Sequence, residues 1–163
     1  MERLKHKLDP IYDKKSKLLI LGTFPSPKSR EINFYYTHPQ NRFWKVLGNI
    51  LNIEIPKDNG SRIKILYKYN IAIWDVIREC DISGSKDSSI RNVIPNDIVS
   101  LINKTNIKYI VTTGNKAYEL YNKYLYSKTK IEAIKLPSTS PANARMNVEK
   151  LTKEYSIIKD LIG

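Results

Sequence analysis

Short apolar runs punctuate the chain, and between them apolar residues recur every three or four positions. The run at 17–23, KLLILGT, stops on a glycine and predicts a buried strand. Runs at 70–76 (NIAIWDV), 107–114 (IKYIVTTG) and 131–138 (IEAIKLPS) predict three more. From Asn41 onward, Phe43, Trp44, Leu47, Ile50 and Leu51 fall at helical spacing, which predicts a helix to about Asn52. A DNGS turn at 58–61 leads into a short helix over 62–69. Helices are also expected over 95–106, capped by Asn96, and over 115–125. Val148, Leu151, Tyr155, Ile158 and Ile162 share one face of a single last helix. Residues 1–16 read as a polar lead-in, and 25–29 and 80–89 as polar loops.

Strands that alternate with helices define an α/β fold with a mostly parallel sheet, here as one domain over residues 1–163. In such sheets, ligands bind at the carboxyl ends of the strands. Two loops stand there: GTFPSPKS at 22–29 and LPSTSPANAR at 136–145. The stretch FYYTHPQNRFW, 34–44, follows the first directly, so the three segments are expected to converge.

Composition narrows the chemistry. At 41% hydrophobic residues the chain is globular. No run is long enough to span a bilayer, and the first ten residues lack a signal peptide's apolar stretch; a cytoplasmic protein is expected. A lone cysteine, Cys80, excludes an internal disulfide and reads as a buried thiol. With 28 Lys and Arg against 16 Asp and Glu, the net charge of +12 suits a polyanion such as nucleic acid. The richness in Lys, Ile, Asn and Tyr accounts for it equally well, so charge alone leaves the partner open.

Several chemistries fall away. GTFPSPKS has one glycine and two prolines, so it is neither a P-loop nor a dinucleotide turn. His6 and His38 stand far apart and no His/Cys pair has ligand spacing, so neither a metal nor a cofactor is expected. Ser26, His38 and Asp75 offer triad residue types but lack a nucleophile elbow.

Within FYYTHPQNRFW, Phe43 and Trp44 fit the buried face of the following helix. Phe34, Tyr35 and Tyr36 read either as a packing lid or as a stacking surface for a nucleobase. Asn41 reads as a helix cap, or as an amide whose donor and acceptor hold a water or a base edge. LPSTSPANAR reads as a capping region or as a loop that grips phosphates with hydroxyls and backbone N–H groups, aided by Arg145.

Taken together, LLILGTFPS, FYYTHPQNRFWKVL, IAIWDVI with SGSKDSSI, and KLPSTSPANAR resemble the motifs of the uracil-DNA glycosylase superfamily, in particular its deoxyinosine (hypoxanthine) branch. They span residues 18 to 145. The resemblance implies a three-layer α/β/α fold around a four-stranded, mostly parallel sheet. It also implies an enzyme that flips a deaminated base, chiefly hypoxanthine, out of DNA and hydrolyses its N-glycosidic bond. In other branches an Asp or Asn of the first motif places the water, and a His opens the late motif. Here Phe24 and Leu136 stand at those positions.

The deoxyinosine branch instead uses the Asn of its Asn-Arg-Phe-Trp motif, and the resemblance places that role, positioning the water or contacting the base, on Asn41. It implies that Phe24, Tyr35 and Tyr36 line a base pocket, with His38 as a donor and Ser26 touching base or backbone. Ser138, Thr139 and Ser140 are expected on phosphates. Ala142, Asn143, Ala144 and Arg145 are expected to fill the gap left by the base. Asp87 matches a branch residue without a physical role. The implied partner is DNA containing a damaged base, bound by a monomer in a bacterial or archaeal cytosol or nucleoid. Three other readings stay open: excision of uracil or a wider set of deaminated bases, a non-catalytic module for damaged DNA, and a small-molecule nucleoside hydrolase. Abundant lysines also leave strand-cleaving lyase chemistry open.

Overall fold

A computed structural model describes residues 1–84 and 86–163. In chain order the elements are β1 (Glu2–Lys5), β2 (Leu18–Gly22), α1 (Pro27–Ile32), α2 (Phe43–Leu51), α3 (Asn59–Lys68), β3 (Ile71–Asp75), β4 (Ile77–Ile82), β5 (Arg91–Pro95), α4 (Ile98–Asn103), β6 (Tyr109–Thr113), α5 (Asn115–Tyr124), α6 (Tyr126–Thr129), β7 (Ala133–Leu136), α7 (Val148–Tyr155) and α8 (Ile157–Ile162).

The four expected strands form one parallel sheet in the order β3-β2-β6-β7. Leu18 to Leu21 of β2 are wholly buried, because both faces of the sheet are covered. Side chains alternate between the two faces. Leu18 and Ile20 join Val46, Leu47, Leu151 and Ile158 from α2, α7 and α8. Leu19 and Leu21 join Ile98, Leu101, Leu120 and Tyr121 from α4 and α5. The architecture is thus the expected three-layer α/β/α. Each fully buried Leu or Ile contributes about 1.5–3 kcal/mol, and a polar residue in β2 has no solvent face to turn to.

Sequence pattern misses a second, antiparallel sheet in the order β1-β4-β5. The lead-in is not a loose segment. β1 pairs with β4, and Arg3 bonds Glu79 and Asp81 at 3.2 and 3.3 Å. Leu8 and Ile11 enter the core, and Ile11 bridges Ile73. Cys80 to Ile82, expected in a loop, belong to β4; Ser85 of that loop lies outside the described residues. Cys80 is buried, and burial pushes its thiol above the ordinary range.

Three helix ends also differ from expectation. PSPKS opens α1: Ser26 caps it by accepting from Ser29 N, and Pro27 sits where a missing N–H costs nothing. Asp97, not Asn96, caps α4; the buried Asn96 side chain instead donates to the carbonyls of Asp75 and Ile77. The single last helix is broken at Ser156, whose hydroxyl bonds back to Lys153 O at 2.7 Å, a contact that bends helices.

Candidate active site at the sheet switch point

β2 comes first in the chain among the four parallel strands and sits between β3 and β6, so the chain passes to β3 on one side of it and then crosses to β6 on the other. The crevice this opens lies at the carboxyl ends of β2 and β6, where Gly22 and Thr113 stand. A pocket of about 650 Å³ occupies it, within the range of roughly 300–1,000 Å³ typical of small-ligand sites. The three segments expected to converge all line it.

The floor is made by strand ends. Gly22, Asp75 and Thr113 close the pocket, with Asp75 only 4% exposed. A Cβ on Gly22 would collide with Asp75 Oδ1 and lie 3.1 Å from the Tyr36 hydroxyl. Glycine is therefore required to let both groups approach one point. Asp75 Oδ2 is held at 2.8 Å by His6 Nε2, and both side chains are almost wholly buried. His6 Nδ1 accepts from Leu8 N at 3.2 Å, so the neutral ring carries its proton on Nε2 and donates it to the carboxylate.

FYYTHPQNRFW forms one wall. Phe34 stacks on Trp44 in the core, and the Trp44 indole donates to Tyr35 O. Tyr35 borders the pocket but is only 3% exposed, with its hydroxyl donating to Asp9 O at 2.7 Å. Tyr36 has φ 55°, a left-handed backbone costing about 1–3 kcal/mol for such a residue. One face of its ring is covered by Phe43 at 4.0 Å, and its hydroxyl reaches Thr113 Oγ1 at 3.4 Å. Burial and the nearby Asp75 charge hold this phenol, like that of Tyr35, above the ordinary range, so both stay protonated. Phe24 lines the opposite wall, edge-on to His6 and with Arg30 over its ring.

Asn41 is a turn residue just ahead of α2, and Arg42 takes the cap position. Its Oδ1 accepts from Phe43 N and from the Thr139 hydroxyl, each at 2.9 Å. The Phe43 N–H identifies that atom as the oxygen. The amide nitrogen is then the end left to face the pocket. His38 is half-buried at the mouth; its Nδ1 accepts from Gln40 N, which puts the neutral ring's proton on Nε2.

The late loop is tied to this wall by the Thr139–Asn41 bond and by Arg42. The Arg42 guanidinium donates to the carbonyls of Thr139, Ser140, Asn143 and Met146. The expected phosphate grippers divide accordingly. Thr139 is 2% exposed and turned inward onto Asn41. Ser138 and Ser140 accept from Ser140 N and Ala142 N, which leaves their O–H groups free to donate. Asn143 braces the loop through Ser138 O, whereas Ala142, Ala144 and Arg145 are exposed. Ser26 is engaged as the α1 cap with Ser29, which in turn holds Thr37. Asp87 is exposed at the rim. Leu136 is buried and offers no donor.

Fold and pocket together define an α/β protein with a pocket, the candidate ligand site, at the switch point of a doubly wound sheet. The chain belongs to the Uracil DNA glycosylase superfamily, which it matches over residues 10–162. It is 32% identical over 145 residues to a hypoxanthine DNA glycosylase of Methanosarcina barkeri (strain Fusaro), covering 86% of this chain and 89% of that protein. It is 31% identical over 161 residues to a hypoxanthine DNA glycosylase of Methanosarcina acetivorans, covering 96% and 99%. A solution structure of a Methanosarcina acetivorans protein, provisionally described as a uracil DNA glycosylase, superposes with TM-score 0.83 at 28% identity over 98% of this chain and 99% of that one.

Proposed function

We propose that this chain is a DNA base-excision glycosylase that releases hypoxanthine, through a single hydrolytic domain acting as a monomer in the cytosol. The observation that carries this reading is the Asn41 amide. Its oxygen is spent on Phe43 N and Thr139, and its nitrogen is presented to the pocket. Breaking an N-glycosidic bond leaves positive charge on the sugar and moves negative charge onto the base. A fixed N–H donor answers the second of these by stabilising the leaving base. A donor held on a water would instead draw electron density from it, so the geometry favours contact with the base over water activation. His38, with its proton on Nε2 at the mouth, supplies a second donor. Ser138, Ser140 and Arg145 face the backbone side, and the exposed Ala142 and Ala144 enter the gap in the duplex. Likeness to two hypoxanthine DNA glycosylases over most of the chain supports the choice of base.

The test is incubation with duplexes carrying hypoxanthine, uracil or xanthine, followed by alkaline cleavage at abasic sites. Cleavage at hypoxanthine is expected to be fastest. Tight lesion-dependent binding with no abasic product on any duplex would establish the binding-module reading instead.

A further inference from the structure

Asp75 of the pocket floor and His6, the buried side chain that bonds it, have no part in the reading above. A purine joined to DNA through N9 enters with its sugar at the mouth, so its far edge, C6 and N1, meets the floor. Two groups wait there on either side of the space above Gly22. Asp75 Oδ1 makes none of the described side-chain hydrogen bonds and borders the pocket. The Tyr36 hydroxyl makes only a long contact, 3.4 Å, to Thr113 Oγ1, and Thr113 itself donates to Leu21 O. A carboxylate oxygen only accepts; a protonated phenol donates.

Resting on the glycosylase reading, we infer that Asp75 and Tyr36 form a lactam reader. Asp75 Oδ1 accepts from the ring N–H of a deaminated base, N1–H of hypoxanthine, while the Tyr36 hydroxyl donates to the adjacent C6 oxygen. Deamination of adenine creates this donor–acceptor order from its reverse. Adenine turns a lone pair toward the carboxylate and an amino group toward the phenol, and it is rejected at both points. Tyr36 keeps its proton because burial and the Asp75 charge both oppose ionisation. His6 is a positioning residue: by occupying Oδ2 it fixes which oxygen faces the base.

The His6 contact makes Asp75→Asn a directional test. His6 Nε2–H will pin the carboxamide oxygen, which turns the NH2 group into the pocket. The floor then changes from acceptor to donor with little change in shape. Single-turnover excision is measured on duplexes carrying hypoxanthine, 1-methylhypoxanthine, and unsubstituted purine, whose N1 is an acceptor. Wild type is expected to prefer hypoxanthine over each analogue by about 100-fold, because a buried partner left unpaired is costly. In Asp75→Asn the hypoxanthine-to-purine ratio is expected to fall at least 100-fold. Tyr36→Phe keeps the ring stack on Phe43 and is expected to lower hypoxanthine excision about tenfold while sparing purine. Ratios unchanged in both soluble variants overturn the inference, as does a wild type indifferent to N1 methylation. If wild type releases no base from any duplex, the glycosylase reading itself has failed, which is a separate result.

Discussion

Asn41 carries two hydrogen bonds on its oxygen and presents its nitrogen to the pocket, an asymmetry that separates two mechanisms. If the amide donates to the departing base, Asn41→Ala should cost about 100- to 1,000-fold in single-turnover rate, as loss of one preorganised donor does. Asn41→Asp should be as poor, because it puts an acceptor where a donor is needed. Were the residue instead a water activator, Asp would match or exceed Asn, so an active Asn41→Asp enzyme would sink the leaving-group role. Asn41 is legible in sequence because it sits in a distinctive motif. Asp75 and His6 are not. Asp75 closes an apolar run and reads as a strand end, and His6 lies 69 residues away in a lead-in with no apolar period. Only pairing of β1 with β4 and burial of Leu8 and Ile11 bring the two together.

At the scale of elements, Arg42 is the joint between the start of α2 and the loop after β7. Its guanidinium meets four carbonyls of that loop, three of which also accept from backbone N–H groups, those of Arg42, Asn143 and Met146. Neither a neutral chain nor a compact ammonium reproduces that fork. Arg42→Met is therefore expected to raise amide hydrogen exchange across 138–146 and to slow base release at least tenfold by letting Thr139 drift from Asn41. Unchanged exchange in that segment would remove the clamp role. The motif string marks this arginine, but its partners are backbone oxygens, which carry no sequence signal. The four parallel strands were readable as short runs rich in apolar residues, unbroken where both faces are buried, as in β2, and interrupted by the exposed Lys135 in the edge strand β7. β4 and β5 are half-polar, with burial patterns of a sheet facing solvent on one side, and β1 is an edge strand of charged residues; such strands look like loops. Helix α1 is only six residues long, too short for its period to show.

At the scale of the molecule, the net charge of +12 and the pocket divide the labour of recognition. Cations gripping phosphates release counterions, whereas the buried floor reads one base edge and displaces almost none. Affinity for duplex DNA should therefore fall steeply with salt; contact with about five phosphates gives a slope of log K against log salt near −4.5. Arg145 is exposed beside the free hydroxyls of Ser138 and Ser140, so Arg145→Ala should flatten the slope by about one. It should weaken damaged and undamaged duplexes alike. Asp75→Asn, by contrast, should leave the slope untouched and change only the margin between hypoxanthine and normal DNA. Fluorescence anisotropy across a salt series, with both duplexes and both variants, measures all of these. An Arg145→Ala protein that loses affinity only for the damaged duplex would move this residue from the backbone to the gap. Binding indifferent to salt would return the +12 charge to mere composition and revive the small-molecule nucleoside hydrolase.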